Sequence, residues 1–237
     1  MMALNVIILG PPGAGKGTQA ERFARERGIP KISTGDILRE AVSAGTEIGL
    51  QAKAIMARGE LVGDELIIEI VRERLQRPDA LGGFVLDGFP RTLAQAAALD
   101  TIVDRRDPLI VVDIAVPEAE LMRRLGSRMV CQDCAVNADL AAAGKDPAGQ
   151  AVPLRCRLCG GRLVQRADDS QDVVGERLKV YHRQSEPLVE YYRVRPTFRS
   201  IDGAQTPDLV AADLAAAIEA VGHGPRFTGV ASTGAEG

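Results

Sequence analysis

The opening of the chain constrains its fold more than any other stretch. Leu4–Leu9 is an apolar run with Val6, Ile7 and Ile8 at its centre, the pattern of a strand buried on both faces. Gly10-Pro-Pro-Gly13-Ala14-Gly15-Lys16-Gly17-Thr18 follows at once, and Lys16–Arg27 has helix formers with no breaker after Gly17. Small residues let a backbone wrap closely around an anion, so that several N–H groups point inward. The start of the helix adds its partial positive charge, and Lys16 adds a mobile cation. A strand, a glycine loop, a lysine and a helix in this order predict a phosphate-binding loop, with Gly13, Ala14, Gly15, Lys16, Gly17 and Thr18 as its binding residues. The strict pattern places Ser or Thr directly after the lysine. Here Gly17 intervenes, which leaves the usual hydroxyl contact to magnesium open.

Downstream, strands and helices alternate. Further strands are expected at 84–86, 109–116 and 198–201, and helices at 64–76, 92–104, 118–130 and 207–221. Alternation of this kind implies an α/β protein, a three-layer core with a parallel sheet covered on both faces. Between 174 and 192 apolar and small residues recur at spacings of three and four, a long helical face that Pro187 should kink or split near Glu186. Two stretches break the alternation. Residues 33–62 carry two short helical patterns and no strand, and residues 127–169 carry all four cysteines together with a Gly/Pro/Ala-rich run. Both read as inserts on a core formed by 1–32, 63–126 and 170–222. The Gly-rich end, 223–237, is expected to be a disordered tail.

Composition excludes several classes. With 29 Lys+Arg against 32 Asp+Glu the net charge is −3, so no nucleic-acid partner is expected. No apolar run reaches the roughly 20 residues of a membrane helix, and the first residues lack a secretory pattern. The spacing Cys131-x-x-Cys134 and Cys156-x-x-Cys159-Gly-Gly gives two paired knuckles separated by 21 residues. Four thiolates suit a closed, structural zinc site, with disulfides or a redox pair as the competing reading. A reducing compartment, the cytoplasm, is expected.

Gly10 to Ala20 (GPPGAGKGTQA), Ile32 to Glu40 (ISTGDILRE) and Asp87 to Gln95 (DGFPRTLAQ) together resemble adenylate kinases, and most closely the bacterial long-lid form with a zinc-binding lid. The resemblance runs over about 4–222 and is interrupted at 135–155. It implies a P-loop core with a helical acceptor-nucleotide insert at 33–62 and a zinc-binding lid at 127–169, bearing Cys131, Cys134, Cys156 and Cys159. It implies reversible transfer of the γ-phosphoryl group of MgATP to AMP, giving two ADP; the related kinases acting on CMP and UMP usually carry Asn where Gln95 stands. Thr34, Arg39, Glu60, Leu61, Val62, Gly88, Phe89, Pro90, Arg91, Gln95, Arg166 and Arg177 would hold AMP, and Arg128 and Gln205 would join the phosphate loop in holding ATP. Lys16, Arg91, Arg124, Arg128, Arg166 and Arg177, with the acidic pair Asp168 and Asp169, would serve the transfer itself. Asp87 would hold hydrated Mg2+ through water. The residues agree chemically. A guanidinium fork suits a phosphate and a Gln amide suits the donor–acceptor edge of adenine. An acceptor that is already an ionised phosphate needs no general base, in keeping with a chain of only two histidines. Arg124 and Arg128 are expected one turn apart on the helix at 118–130, a spacing that disfavours like charges unless an anion lies near. The only expected partners are the nucleotides, with the protein as a monomer.

Overall fold

The computed structural model describes residues 3–104, 106–133, 137–139, 155–165 and 171–222. In chain order the elements are β1 (Leu4–Leu9), α1 (Lys16–Arg27), β2 (Lys31–Ser33), α2 (Thr34–Ser43), α3 (Glu47–Ala57), α4 (Asp64–Leu75), β3 (Gly83–Asp87), α5 (Leu93–Val103), β4 (Leu109–Ala115) and α6 (Glu118–Ser127). Then follow β5 (Arg128–Cys131), β6 (Asn137–Asp139), β7 (Leu163–Gln165), α7 (Gln171–Val180), α8 (Pro187–Arg193), β8 (Phe198–Asp202) and α9 (Pro207–Gly222).

Five strands form one parallel sheet in the order β2-β3-β1-β4-β8. The period-2 alternation of strand side chains divides the core into two. Ile7 and Leu9 of β1, Phe84 and Leu86 of β3, and Leu109 and Val111 of β4 point into a cluster closed by α4, α5 and α8. Val6, Ile8, Val85, Ile110, Val112 and Ile114 point the other way, into a cluster closed by α1, α6, α7 and α9. Every central strand is thus apolar on both faces, and the result is the three-layer sandwich that the sequence predicts. Leu86 is fully buried. Leu86→Ala should therefore cost about 2–5 kcal/mol, read from urea unfolding as a lower midpoint at unchanged slope.

Three local features depart from the sequence reading or sharpen it. The first is β2, which the sequence did not reveal. It has only three residues, one of them a lysine, and exists because β3 offers it an edge. The second concerns Arg128. The helix after Pro117 ends at Ser127, and Arg128 is extended at φ −73 and ψ 127. It opens β5, which pairs antiparallel with β6 and β7. Arg124 and Arg128 therefore do not share a helix face. Gly126 weakens the last turn, and Met129 and Val130 gain more from the ladder than from another helical turn. The third is Pro187, which splits the long helix as expected. Lacking an N–H, it begins α8, and the preceding five residues, Tyr181–Ser185, widen into a π turn in which Glu186 N donates to Tyr181 O at 2.9 Å.

Candidate active site

The carboxyl ends of β1, β3 and β4 meet where the strand order reverses, the place where open α/β sheets hold ligands. The loop 10–15 leaves β1 there. At Gly10 φ is +136, and a Cβ would lie 2.7 Å from the carbonyl oxygen of Ile114, so only glycine lets the loop turn so close to β4. The start of α1 at Gly15 has no side-chain cap, leaving its first amides for an anion. Lys16 Nζ donates to the carbonyls of Gly10 and Pro11, both at 2.8 Å, which holds the side chain across its own loop.

Gly17, where Ser or Thr is usual, stands close to Asp87. A Cβ there would lie 3.1 Å from Asp87 Oδ2, so a larger residue would need the carboxylate at the end of β3 to give by a few tenths of an ångström. Four charged groups besides Asp87 converge here. Burial pushes the Lys16 ammonium down to about 7; Asp87 opposes the shift, and the nearby Arg91, Arg177 and Arg128 reinforce it. Three of the arginines picked out in the sequence thus lie close enough to Lys16 to act on its charge. Arg124 stands differently. Its Nε donates to Glu120 Oε1 at 2.7 Å, and hydrogen bonds from Arg123 and Arg124 hold the Glu120 carboxyl down to about 2.

Across the cleft lies a second, equally specific arrangement. Thr34 Oγ1 and Arg91 Nε both donate to Gly88 O, at 2.9 and 2.8 Å. Ser33 caps α2 by accepting from Asp36 N at 3.3 Å. Arg39 pairs with Asp36; against the upward push of burial, this bond holds the Asp36 carboxyl below its ordinary range. Arg58 donates to both carboxylate oxygens of Glu60, at 2.9 and 2.7 Å. Gln95 is 2% exposed. One cavity is lined by Lys16 of the loop, by Thr34, Arg39, Glu60, Leu61 and Val62 of the 33–62 stretch, by Gly88, Pro90, Arg91 and Gln95 after β3, and by Arg177 of α7. Phe89 is buried in the core beneath it, its peptide bond to Pro90 being cis.

Sequence reasoning passed over several residues at this cavity. Ser185 lines it and donates from Oγ to Arg91 O at 2.8 Å; in the sequence it is one member of an apolar helical face. Met56 and Tyr181 line it as well, and nothing in their local pattern separates them from core residues. On the far side, Gly203 lets the loop after β8 press against Ile114 and Val116. A second groove there is lined by Ala115, Val116, Pro117, Ser200, Ile201 and Asp202. Gln205 follows that groove, its Nε2 donating to Asp213 at 2.8 Å and to Asp202 O at 3.2 Å.

At the small sheet of β5, β6 and β7, the Sγ atoms of Cys131 at the end of β5 and of Cys156 and Cys159 in the turn before β7 all lie within 4.8 Å of one another. Cys131 and Cys159 are 3.4 Å apart, far longer than the roughly 2.05 Å of a disulfide and near the roughly 3.8 Å between ligands of a tetrahedral zinc with Zn–S of about 2.3 Å. Cys131 and Cys156 are buried and Cys159 is exposed, and three converging sulfur atoms are a donor set that fits zinc. Cys134, Arg166, Asp168, Asp169 and most of 135–155 fall outside the described residues.

A lysine-bearing glycine loop on a parallel sheet, with arginines drawn to it across a shared cavity, defines a P-loop nucleotide-binding protein. Comparison with known proteins narrows the class. The family model described as Adenylate kinase matches residues 8–197. Among curated relatives, the adenylate kinase of Archaeoglobus fulgidus is 47% identical over 220 residues, covering 92% of this chain and 99% of its own. That of Moorella thermoacetica is 48% identical over 204 residues, covering 85% and 92%, and that of a Geobacillus species 47% over 213, covering 89% and 96%. The chain belongs to the adenylate kinase family, the ATP:AMP phosphotransferases, and is an enzyme of that family. Its members use Mg2+ with ATP, and the thiol cluster is consistent with a structural zinc. Among the described residues no helix is long and apolar enough to cross a membrane.

Proposed function

We propose that this enzyme moves the γ-phosphoryl group of MgATP onto AMP, giving two ADP, and so keeps the adenine nucleotides in balance. A phosphate oxygen of AMP forms the new P–O bond while the bond to the β-phosphate oxygen of ATP breaks and ADP leaves. The attacking oxygen is already ionised, so positioning and charge neutralisation carry the reaction. One observation supports this reading above the others: Arg91 of the acceptor side, Arg128 at the entry to β5 and Arg177 of α7 all act on the charge of Lys16 in the loop. A phosphoryl group travelling between two nucleotides would meet cations throughout its path.

In this reading Gly13, Ala14, Gly15, Lys16, Gly17 and Thr18 cradle the ATP phosphates, with Gln205 beside its base. Thr34, Arg39, Gly88, Arg91 and Gln95 hold AMP, and Glu60, Leu61 and Val62 lie along it. Asp87 is the carboxylate that would hold the hydrated Mg2+ of MgATP, which supplies charge neutralisation on the phosphates. Residues 33–62 and 127–169 would close over acceptor and donor, keeping water from the transferred group. The enzyme would work as a monomer in the cytoplasm.

The acceptor assignment rests on Gln95, and steady-state assays with AMP, dAMP, CMP and UMP test it. AMP should exceed CMP and UMP in kcat/KM by about a hundredfold or more, since a buried amide rejects an edge it cannot pair. Comparable turnover of CMP would replace the acceptor assignment while leaving the phosphotransferase intact.

A further inference from the structure

We propose that Asp64 is a positioning residue for acceptor-base selectivity: it fixes which way round the Gln95 amide stands in the acceptor cavity. The proposal rests on the reading of AMP as acceptor. Gln95 lines the cavity and is 2% exposed. Its Nε2 donates to Asp64 Oδ1 at 2.7 Å, and its Oε1 accepts from the backbone N–H of Arg91 at 2.8 Å. The first partner can only accept and the second can only donate, so the amide has a single satisfied orientation. Turning it over would set oxygen against carboxylate and NH2 against N–H, two repulsive contacts in a buried place.

The other oxygen of Asp64 is committed too. Thr92 Oγ1 donates to Asp64 Oδ2 at 2.9 Å, and the same hydroxyl accepts from Gln95 N at 3.2 Å, capping α5. Asp64 thus grips both the cap and the third residue of that helix. After these bonds the Gln95 amide keeps one N–H and one lone pair. Adenine offers an amino donor beside a ring-nitrogen acceptor and satisfies both. Hypoxanthine, with a carbonyl and an N1–H, offers the inverse and suits the turned amide. Discrimination between AMP and IMP therefore depends on the carboxylate of Asp64, a residue that need not touch either nucleotide. Asp64 is also the first residue of α4 and follows the cavity-lining Val62 by two positions, so the residue that aims the amide stands where the 33–62 stretch ends.

An acidic residue in the first turn of α4 also favours the helix dipole, and Glu65 shares that role. The two explanations separate in one set of assays on the full-length, zinc-loaded enzyme, comparing wild type, Asp64→Asn and Glu65→Gln with AMP and IMP. Asp64→Asn should raise KM for AMP about tenfold and lower the AMP-to-IMP ratio of kcat/KM at least tenfold, because an Asn can give or take a hydrogen bond and tolerates the turned amide. KM for ATP should stay within about twofold. Glu65→Gln should lose a similar small amount of thermal stability and keep the wild-type ratio. The ratio is taken within one preparation, so the folded fraction of a variant does not enter it. Wild-type turnover of AMP with an unchanged ratio in Asp64→Asn would overturn the proposal alone. Wild-type enzyme that left AMP untouched would overturn the acceptor reading, and this proposal with it.

Discussion

Lys16→Met is expected to lower phosphoryl transfer by about a thousandfold, the scale on which a single preorganised charge acts in a water-excluded site. The fold should survive, and its pH behaviour gives a second measurement. Lys16 is driven down from 10.5 to about 7, chiefly by burial. A lysine whose folded pKa lies below its unfolded one favours the folded state only when neutral. Its contribution to stability is therefore present at high pH and lost as pH falls through 10.5 toward 7. Lys16→Met removes that loss, so the variant should melt above wild type at about pH 6 and converge with it toward about pH 10. Nucleotide binding runs the opposite way, because phosphates stabilise the ammonium. Binding of ATP at about pH 8.5 should take up a proton, visible by calorimetry in buffers of different ionisation enthalpy, and the uptake should vanish in the variant. A loss of turnover smaller than tenfold would refute the assignment of Lys16 to the transferred phosphate.

Cys156→Ser is expected to act almost entirely on the small sheet of β5, β6 and β7. Among the described residues, Cys131, Cys156 and Leu163 form a buried cluster of their own, with Met129 packed against it. So few apolar side chains cannot hold a sheet by themselves, whereas a structural zinc contributes roughly 10–16 kcal/mol of binding energy to folding. Removing one thiolate should cost more than a hundredfold in zinc affinity, exceeding what loss of an outer hydrogen-bond partner costs. Metal analysis after dialysis should show wild type with bound zinc and the variant without it. Hydrogen exchange should show lost protection at Met129–Cys131 and Leu163–Gln165, with β1, β3 and β4 unchanged. Full zinc occupancy in Cys156→Ser would remove Cys156 from the ligand set.

The path from residues to chemistry was legible in unequal measure. Leu4–Leu9 and the loop behind it could be read directly, because strand burial, glycine geometry and helix polarity are local physics that leave a contiguous signature. The central strands β3 and β4 were equally plain, since a strand covered on both faces is apolar at most of its positions, Asp113 being the buried exception in β4. Arg128 misled: a helical pattern continued past Ser127 on propensity alone, while the pairing of β5 with β6 and β7, formed by residues far along the chain, decided otherwise. Gln95 was picked out for its amide, but its partners were hidden. Asp64, 31 positions earlier, looks in sequence like any acid in a first helical turn.

The sequence by itself determined the three-layer α/β core and the glycine loop behind β1, because each leaves its pattern in contiguous residues. Tertiary structure alone decided that Arg91, Arg128 and Arg177 come near enough to Lys16 to act on its charge, that Asp87 stands close beside Gly17, and that Asp64 bonds to Gln95. Those relations join elements brought side by side only when the strands pair in the order β2-β3-β1-β4-β8. Spacing along a chain carries no record of such distances until the hydrophobic faces of the sheet have been covered.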